Sequence, residues 1–159
     1  MELHQKVTIP VDREAVWLAL TNPVVLQQCL PGCETFSATG SSSFDFVIAA
    51  KIGPVKARFS GDLELSDITP LTSYTISGKG KGGAAGFGKG QAEVFLDDQE
   101  TGTSLRYKVS VSVGGKLAQI GSRLVAAAAR KMADEFFTAF VRLVCDDADR
   151  LVEVVTIET

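Results

Sequence analysis

The sequence holds a single histidine, His4, and three cysteines, Cys29, Cys33 and Cys145. A lone histidine on the first apolar stretch leaves no base for a serine or cysteine nucleophile, and no nucleophile elbow accompanies it. An odd cysteine count builds no disulfide framework and points to a reducing compartment. No apolar run is long enough to span a bilayer, and the opening MELHQKVTIPVDREAV lacks the basic-then-apolar pattern of a leader. Positive charge is not in excess. With 16 basic and 19 acidic residues, the formal net charge is −3, which argues against nucleic-acid binding through phosphate contacts. Low-complexity tracts and repeats are also missing, and 45% hydrophobic with 22% charged residues is the make-up of a globular chain. A soluble, cytoplasmic protein forming one ligand-binding domain over residues 1–159 is expected.

What is present has two periodicities. ELHQKVTIPV reads as a strand with Leu3, Val7 and Ile9 on one face. Asp12 then suits an N-cap for REAVWLAL, and Asn22-Pro23 restarts a second short helix that Pro31-Gly32 ends. From residue 43 the pattern is period two. Phe44, Phe46, Ile48 and Ala50 share a face, as do Val55, Ala57, Phe59, Gly61, Leu63 and Leu65. Tyr74 with Ile76, Ala92 with Val94 and Leu96, and Leu105 through Val113 repeat the alternation. This predicts an antiparallel sheet with one apolar and one wet face.

The last third changes to helical spacing from Lys116 to about Asp146, with a stripe through Leu117, Ile120, Leu124, Ala128 and Met132 that Phe136, Phe137, Phe140 and Val144 widen. One amphipathic helix of about 30 residues, roughly 45 Å long, is expected. The fold class is therefore α+β, a curved antiparallel sheet of about seven strands around a long C-terminal helix, with two short helices after the first strand. A gap between sheet and helix is where function would reside.

Two segments invite chemistry. In CLPGCETF, Cys29 and Cys33 offer two thiols, short of the four ligands a structural zinc needs and with the wrong spacing for a redox pair. They read as small buried thiols beside a turn, and no metal is expected. GKGKGGAAGFGKG, residues 78–90, lacks the P-loop order and precedes a strand rather than a helix. It reads as a mobile hairpin connection carrying Phe87 at its tip, as a lid, a partner contact or a wedge into a membrane surface. The acidic pairs Asp97-Asp98 and Asp146-Asp147, with Asp134 and Glu135, read as solvated charge.

VWLALTNPVVLQQCLPGCETF, KIGPVKARFSGDLEL, GAAGFGKGQAEVFL and GGKLAQIGSRLVAAAARKMADEFF, in that order, resemble the carbon monoxide dehydrogenase G-subunit family of the START-like (polyketide cyclase and birch-pollen-allergen-like) superfamily. The resemblance spans about residues 3 to 140 and implies the helix-grip fold that the element order suggests. It further implies a non-catalytic accessory protein of a molybdenum hydroxylase of the carbon monoxide dehydrogenase type. Such proteins are implicated in recruiting that enzyme to the membrane and in electron transfer through bound quinone. No cofactor is expected other than a bound quinone or lipid. Many members run on through a low-complexity linker to an apolar anchor. Residues 1–159 contain no such stretch, so peripheral docking at the inner face of the membrane falls to the Phe87 loop.

The expected cavity walls are Phe46, Ile48, Phe59, Ile76, Val94, Leu124, Ala128, Met132 and Phe136. Cys29, Pro31, Gly32 and Cys33, with Gly86, Phe87 and Gly88, are expected at the cavity entrance or partner loop. Two rivals remain: an assembly module whose cavity is filled by its own side chains, and a small cyclase- or hydratase-type enzyme using Tyr74 or Tyr107 with Arg106.

Overall fold

The computed structural model describes residues 1–145 and the backbone of 153–156. Strand β1 (Glu2–Ile9) is followed by helices α1 (Arg13–Leu20) and α2 (Pro23–Cys29). Six strands follow: β2 (Cys33–Ala38), β3 (Ser43–Ile52), β4 (Val55–Thr69), β5 (Ser73–Lys81), β6 (Phe87–Gln99) and β7 (Gly102–Gly114). A short α3 (Lys116–Gln119), the long α4 (Ser122–Cys145) and a short strand β8 (Glu153–Thr156) come last.

Local sequence accounts for the two short helices. The Asp12 carboxylate caps α1 by accepting from the Ala15 N–H at 2.9 Å. Asn22 caps α2 through the Val24 N–H at 3.0 Å, with Pro23 supplying the fixed φ of the first turn. Gly32, with φ +74°, turns the chain into β2. A side chain there would overlap the Ala49 carbonyl, because the Gly32 carbonyl itself accepts from the Ala49 N–H at 2.9 Å. The turn is thereby fastened to β3.

All strand pairs are antiparallel, in the order β2-β3-β4-β5-β6-β7-β1-β8. The inner face follows the alternation read from the sequence. Its lower half is a packed core in which Val7, Ile9, Leu96, Leu105, Phe140 and Val141 are almost fully buried. Aromatic contacts knit this end together: Trp17 meets Tyr74 edge-on at 5.3 Å, and Tyr107 stacks on Phe137 at 5.2 Å. A second, smaller cluster of Val55, Ala85 and Leu117 closes the opposite end.

Three expectations need correction. The single helix from Lys116 is broken: Gly121 takes φ +97°, a left-handed conformation that interrupts the helical hydrogen-bond ladder and starts α4 afresh at Ser122. Its expected end at Asp146 lies outside the described residues. The glycine-rich hairpin connection is shorter than residues 78–90, because strands enter it from both sides. Residues 78–81 belong to β5 and 87–90 to β6, joined by one 3-10 turn at Gly83–Ala85. An eighth strand, for which no apolar alternation gave an expectation, covers the edge of β1 with four paired residues.

Candidate functional site

Between the sheet and α4 lies an apolar cavity of about 600 Å³. It exists because small residues face each other across the two layers. One register row across the inner face runs Phe46, Gly61, Gly80, Gly88 and Val113, on β3 through β7. The next row runs Phe44, Leu63, Gly78, Gly90 and Val111. Where a sheet would normally present side chains to its covering helix, these rows present glycine. The helix answers with Val125, Ala128, Ala129 and Met132. Exposed Lys131 and Glu135 stand where α4 meets the rim, and Pro31 and Gly32 line the side fastened to β3.

Six of the nine expected wall residues, Phe46, Ile48, Phe59, Ile76, Ala128 and Met132, line this cavity. Three do not. Val94 shares a face with Ala92 and Ile76 but sits one row further into the packed end, beside Tyr74 and Tyr107. Phe136 stacks on Phe140 at 5.7 Å and meets Phe137 edge-on at 5.0 Å, so it packs with the aromatic core. Leu124 is 42% exposed and its side chain approaches Gly53 in the β3–β4 turn, leaving the neighbouring Val125 to face inward.

Of the expected entrance residues, Pro31, Gly32 and Gly88 line the cavity. Cys29 is buried in the core, where burial pushes its thiol up to about 11. Cys33 opens β2, its S–H donating to the Thr35 carbonyl at 3.2 Å, and burial raises its pKa too, with Glu34 adding to the rise. Both thiols are therefore protonated at neutral pH, which makes them poor nucleophiles and poor metal ligands. Gly86 stands in the turn at φ +105°. Phe87 begins β6 on the outer face, 52% exposed, with its ring lying over Gly114 and Lys81 as its cross-strand partner. The alternation of β6 points it away from the cavity.

The polar groups weighed for catalysis are engaged elsewhere. Tyr74 and Tyr107 sit in the packed end, and burial raises both phenol pKa values well above the ordinary range. Arg106 is on the outer face, 3.3 Å from Asp97 and over the ring of Phe95. Asp98 pairs with Arg13 at 3.1 Å. Asp134 and Glu135 are exposed on α4, and Asp146-Asp147 lies outside the described residues. Among the described residues, no three His, Cys, Asp or Glu side chains gather as a metal site, and no helix is long and apolar enough to cross a membrane.

The sequence reading missed Gly78 and Gly80 of β5, Gly90 of β6, Val109, Val111 and Val113 of β7, and Ala129 of α4, all of which line the cavity. The signal for the valines was the same alternation that found Ile76. For the glycines it was their recurrence at every second position, which is the period of a strand.

A curved antiparallel sheet that grips a long helix over an apolar cavity defines the START-like, helix-grip class. Within that class, residues 6–145 match the family described as the G-subunit of carbon monoxide dehydrogenase (CoxG), and the chain belongs to that family. Among solved structures it is similar to a conserved protein from Geobacillus kaustophilus, with 25% identity and a TM-score of 0.87, covering 97% of this chain and 99% of that one. A putative uncharacterized protein from Rhizobium leguminosarum shares 14% identity with a TM-score of 0.70, covering 92% and 95%. Ara h 8.0201 shares 13% identity with a TM-score of 0.65, covering 92% and 99%; these last two show the fold alone. No curated protein matches the sequence.

Proposed function

We propose that the chain is a non-catalytic accessory protein that binds a hydrophobic small molecule, a quinone or another lipid, in the cavity between sheet and helix. It would serve a molybdenum hydroxylase of the carbon monoxide dehydrogenase type, helping to couple that enzyme to the membrane or recruit it there. The observation that carries the ligand reading is the cavity itself: glycine on one wall, alanine on the other, and an apolar lining that a lipid-soluble molecule would complete. Membership of the CoxG family, whose description names carbon monoxide dehydrogenase, supports the partner. Peripheral membrane contact is supported by the exposed ring of Phe87, flanked on the outer face by Lys81 and Lys89. The displacement of Tyr74, Tyr107 and Arg106 from the cavity favours a binding role over a cyclase or hydratase. A cavity of this volume also disfavours the self-filled assembly module. Thermal unfolding with added quinone tests the ligand reading, since a ligand of the native state must raise the melting temperature with concentration. Co-precipitation with the hydroxylase tests the partner.

A further inference from the structure

Glycine inside a strand weakens it, so a strand keeps glycine where something else forbids a side chain. For several glycines here the fold itself is that reason. A Cβ at Gly61 would overlap the Lys79 carbonyl oxygen and the Gly80 Cα, and one at Gly82 would meet the ring of Phe59. Gly80 and Gly88 are different. They are direct cross-strand partners with no left-handed φ. A Cβ at Gly80 would find its nearest neighbour, Phe46 Cζ, at 3.5 Å, and one at Gly88 would find Val113 Cγ1 at 3.6 Å, both ordinary contacts. The protein fold would accept alanine at both positions. Both glycines face the cavity.

They form a side-chain-free patch across two adjacent strands; on the third, β4, Phe46 reaches past Gly61 far enough to put its Cζ 3.5 Å from a Gly80 Cβ. At the usual strand spacing the pair spans about 5 Å, and Gly90 extends the patch by about 7 Å along β6, whereas the Leu63 side chain lies over Gly78. The patch is bounded by Phe46 at one end and Val113 at the other. Opposite, α4 contributes Ala128 and Ala129 rather than long side chains.

We propose that Gly80 and Gly88 determine ligand specificity, by providing a flat floor on which a planar ring system lies against the sheet. This rests on the reading that the cavity holds a hydrophobic ligand. A flexible acyl chain fits around a methyl group and gains nothing from a bare floor. A rigid planar ring is lifted off its whole contact surface by one methyl beneath it.

The test uses two probes, 2-methyl-1,4-naphthoquinone as the planar ring and dodecanol as the flexible chain. Both are titrated against the full chain and its Gly80→Ala/Gly88→Ala variant, with melting temperatures recorded. The expected result is ring affinity lowered at least tenfold, chain affinity within about threefold of the parent, and a melting temperature equal to or above the parent's. Equal ring binding by both proteins, equal loss of both probes, or binding of the chain alone by the parent overturns the planar-floor proposal and leaves the hydrophobic-ligand reading standing. A variant that fails to fold overturns it as well, since the fold would then require these glycines. If the parent binds neither probe, the hydrophobic-ligand reading falls with it.

Discussion

The phenol of Tyr107 on β7 donates to Oε1 of Gln5 on β1, and both side chains are buried at the packed end of the sheet. The bond ties two strands together beneath the cavity rather than reaching into it. Replacing Tyr107 with Phe removes that donor from a buried acceptor, and a loss on the order of 1–3 kcal/mol is expected. Ligand affinity should not change. Chemical denaturation paired with ligand titration of Tyr107→Phe separates the two effects, and a large loss of affinity would place this tyrosine in the site.

Stability should fall in alkali. The Cys29 thiol holds its proton to about pH 11 in the folded chain, against 9.0 as its reference value. Above pH 9 the unfolded chain therefore binds fewer protons than the folded one, and stability declines as pH rises through that window. The two-unit difference corresponds to a loss on the order of 2–3 kcal/mol by the top of the window. Unfolding free energies of the parent and Cys29→Ala, measured from pH 8 to about 11, should converge by that amount. A constant difference would show that Cys29 does not titrate in this range.

Phe87 stands on the outer face, so its role is separable from the cavity. Phe87→Asp should weaken association with vesicles containing anionic phospholipid several-fold while leaving stability almost unchanged, because the ring is already 52% exposed. Sedimentation with such vesicles reads the effect directly. Undiminished association would remove Phe87 from the membrane contact.

Ala129 lies on the helical wall, opposite the sheet. Ala129→Phe should fill the cavity from that side and abolish binding of a hydrophobic ligand, with a stability change within about 1–3 kcal/mol for a large side chain placed at a packed boundary. Affinity by equilibrium titration and melting temperature are the two readings. Retained affinity would mean that the ligand sits elsewhere.

The strands from Phe44 to Val113 were legible because polar and apolar residues alternate on them, and alternation fixes which face a residue occupies. It does not fix depth. Val94 and Ile76 obey the same alternation, yet only Ile76 reaches the cavity, because Val94 lies one row nearer the aromatic core. On α4 the error was angular: Leu124 and Val125 are one residue, about 100° of helical rotation, apart, and Val125 is the one facing inward.

The break at Gly121 was hidden because one glycine in a helical pattern costs only about 1 kcal/mol relative to alanine, so its presence did not signal a stop. The start of β6 was hidden for a related reason. Glycine and lysine are both depleted in strands, so Phe87 to Lys89 looked like part of the connection. The period of two in β5 and β6 placed glycine toward the cavity and lysine toward the outside, and that spacing, rather than the composition, carried the site.

The central claim is that the cavity carries a hydrophobic molecule, and native mass spectrometry tests it most directly. Protein purified gently from a quinone-containing host, alongside Ala129→Phe, would be weighed intact and then extracted with organic solvent. A stoichiometric quinone or other lipid on the parent, missing from the variant, is the predicted result. A parent that carries nothing, and whose melting temperature added quinone does not raise, would contradict the account and return the protein to a role in assembly.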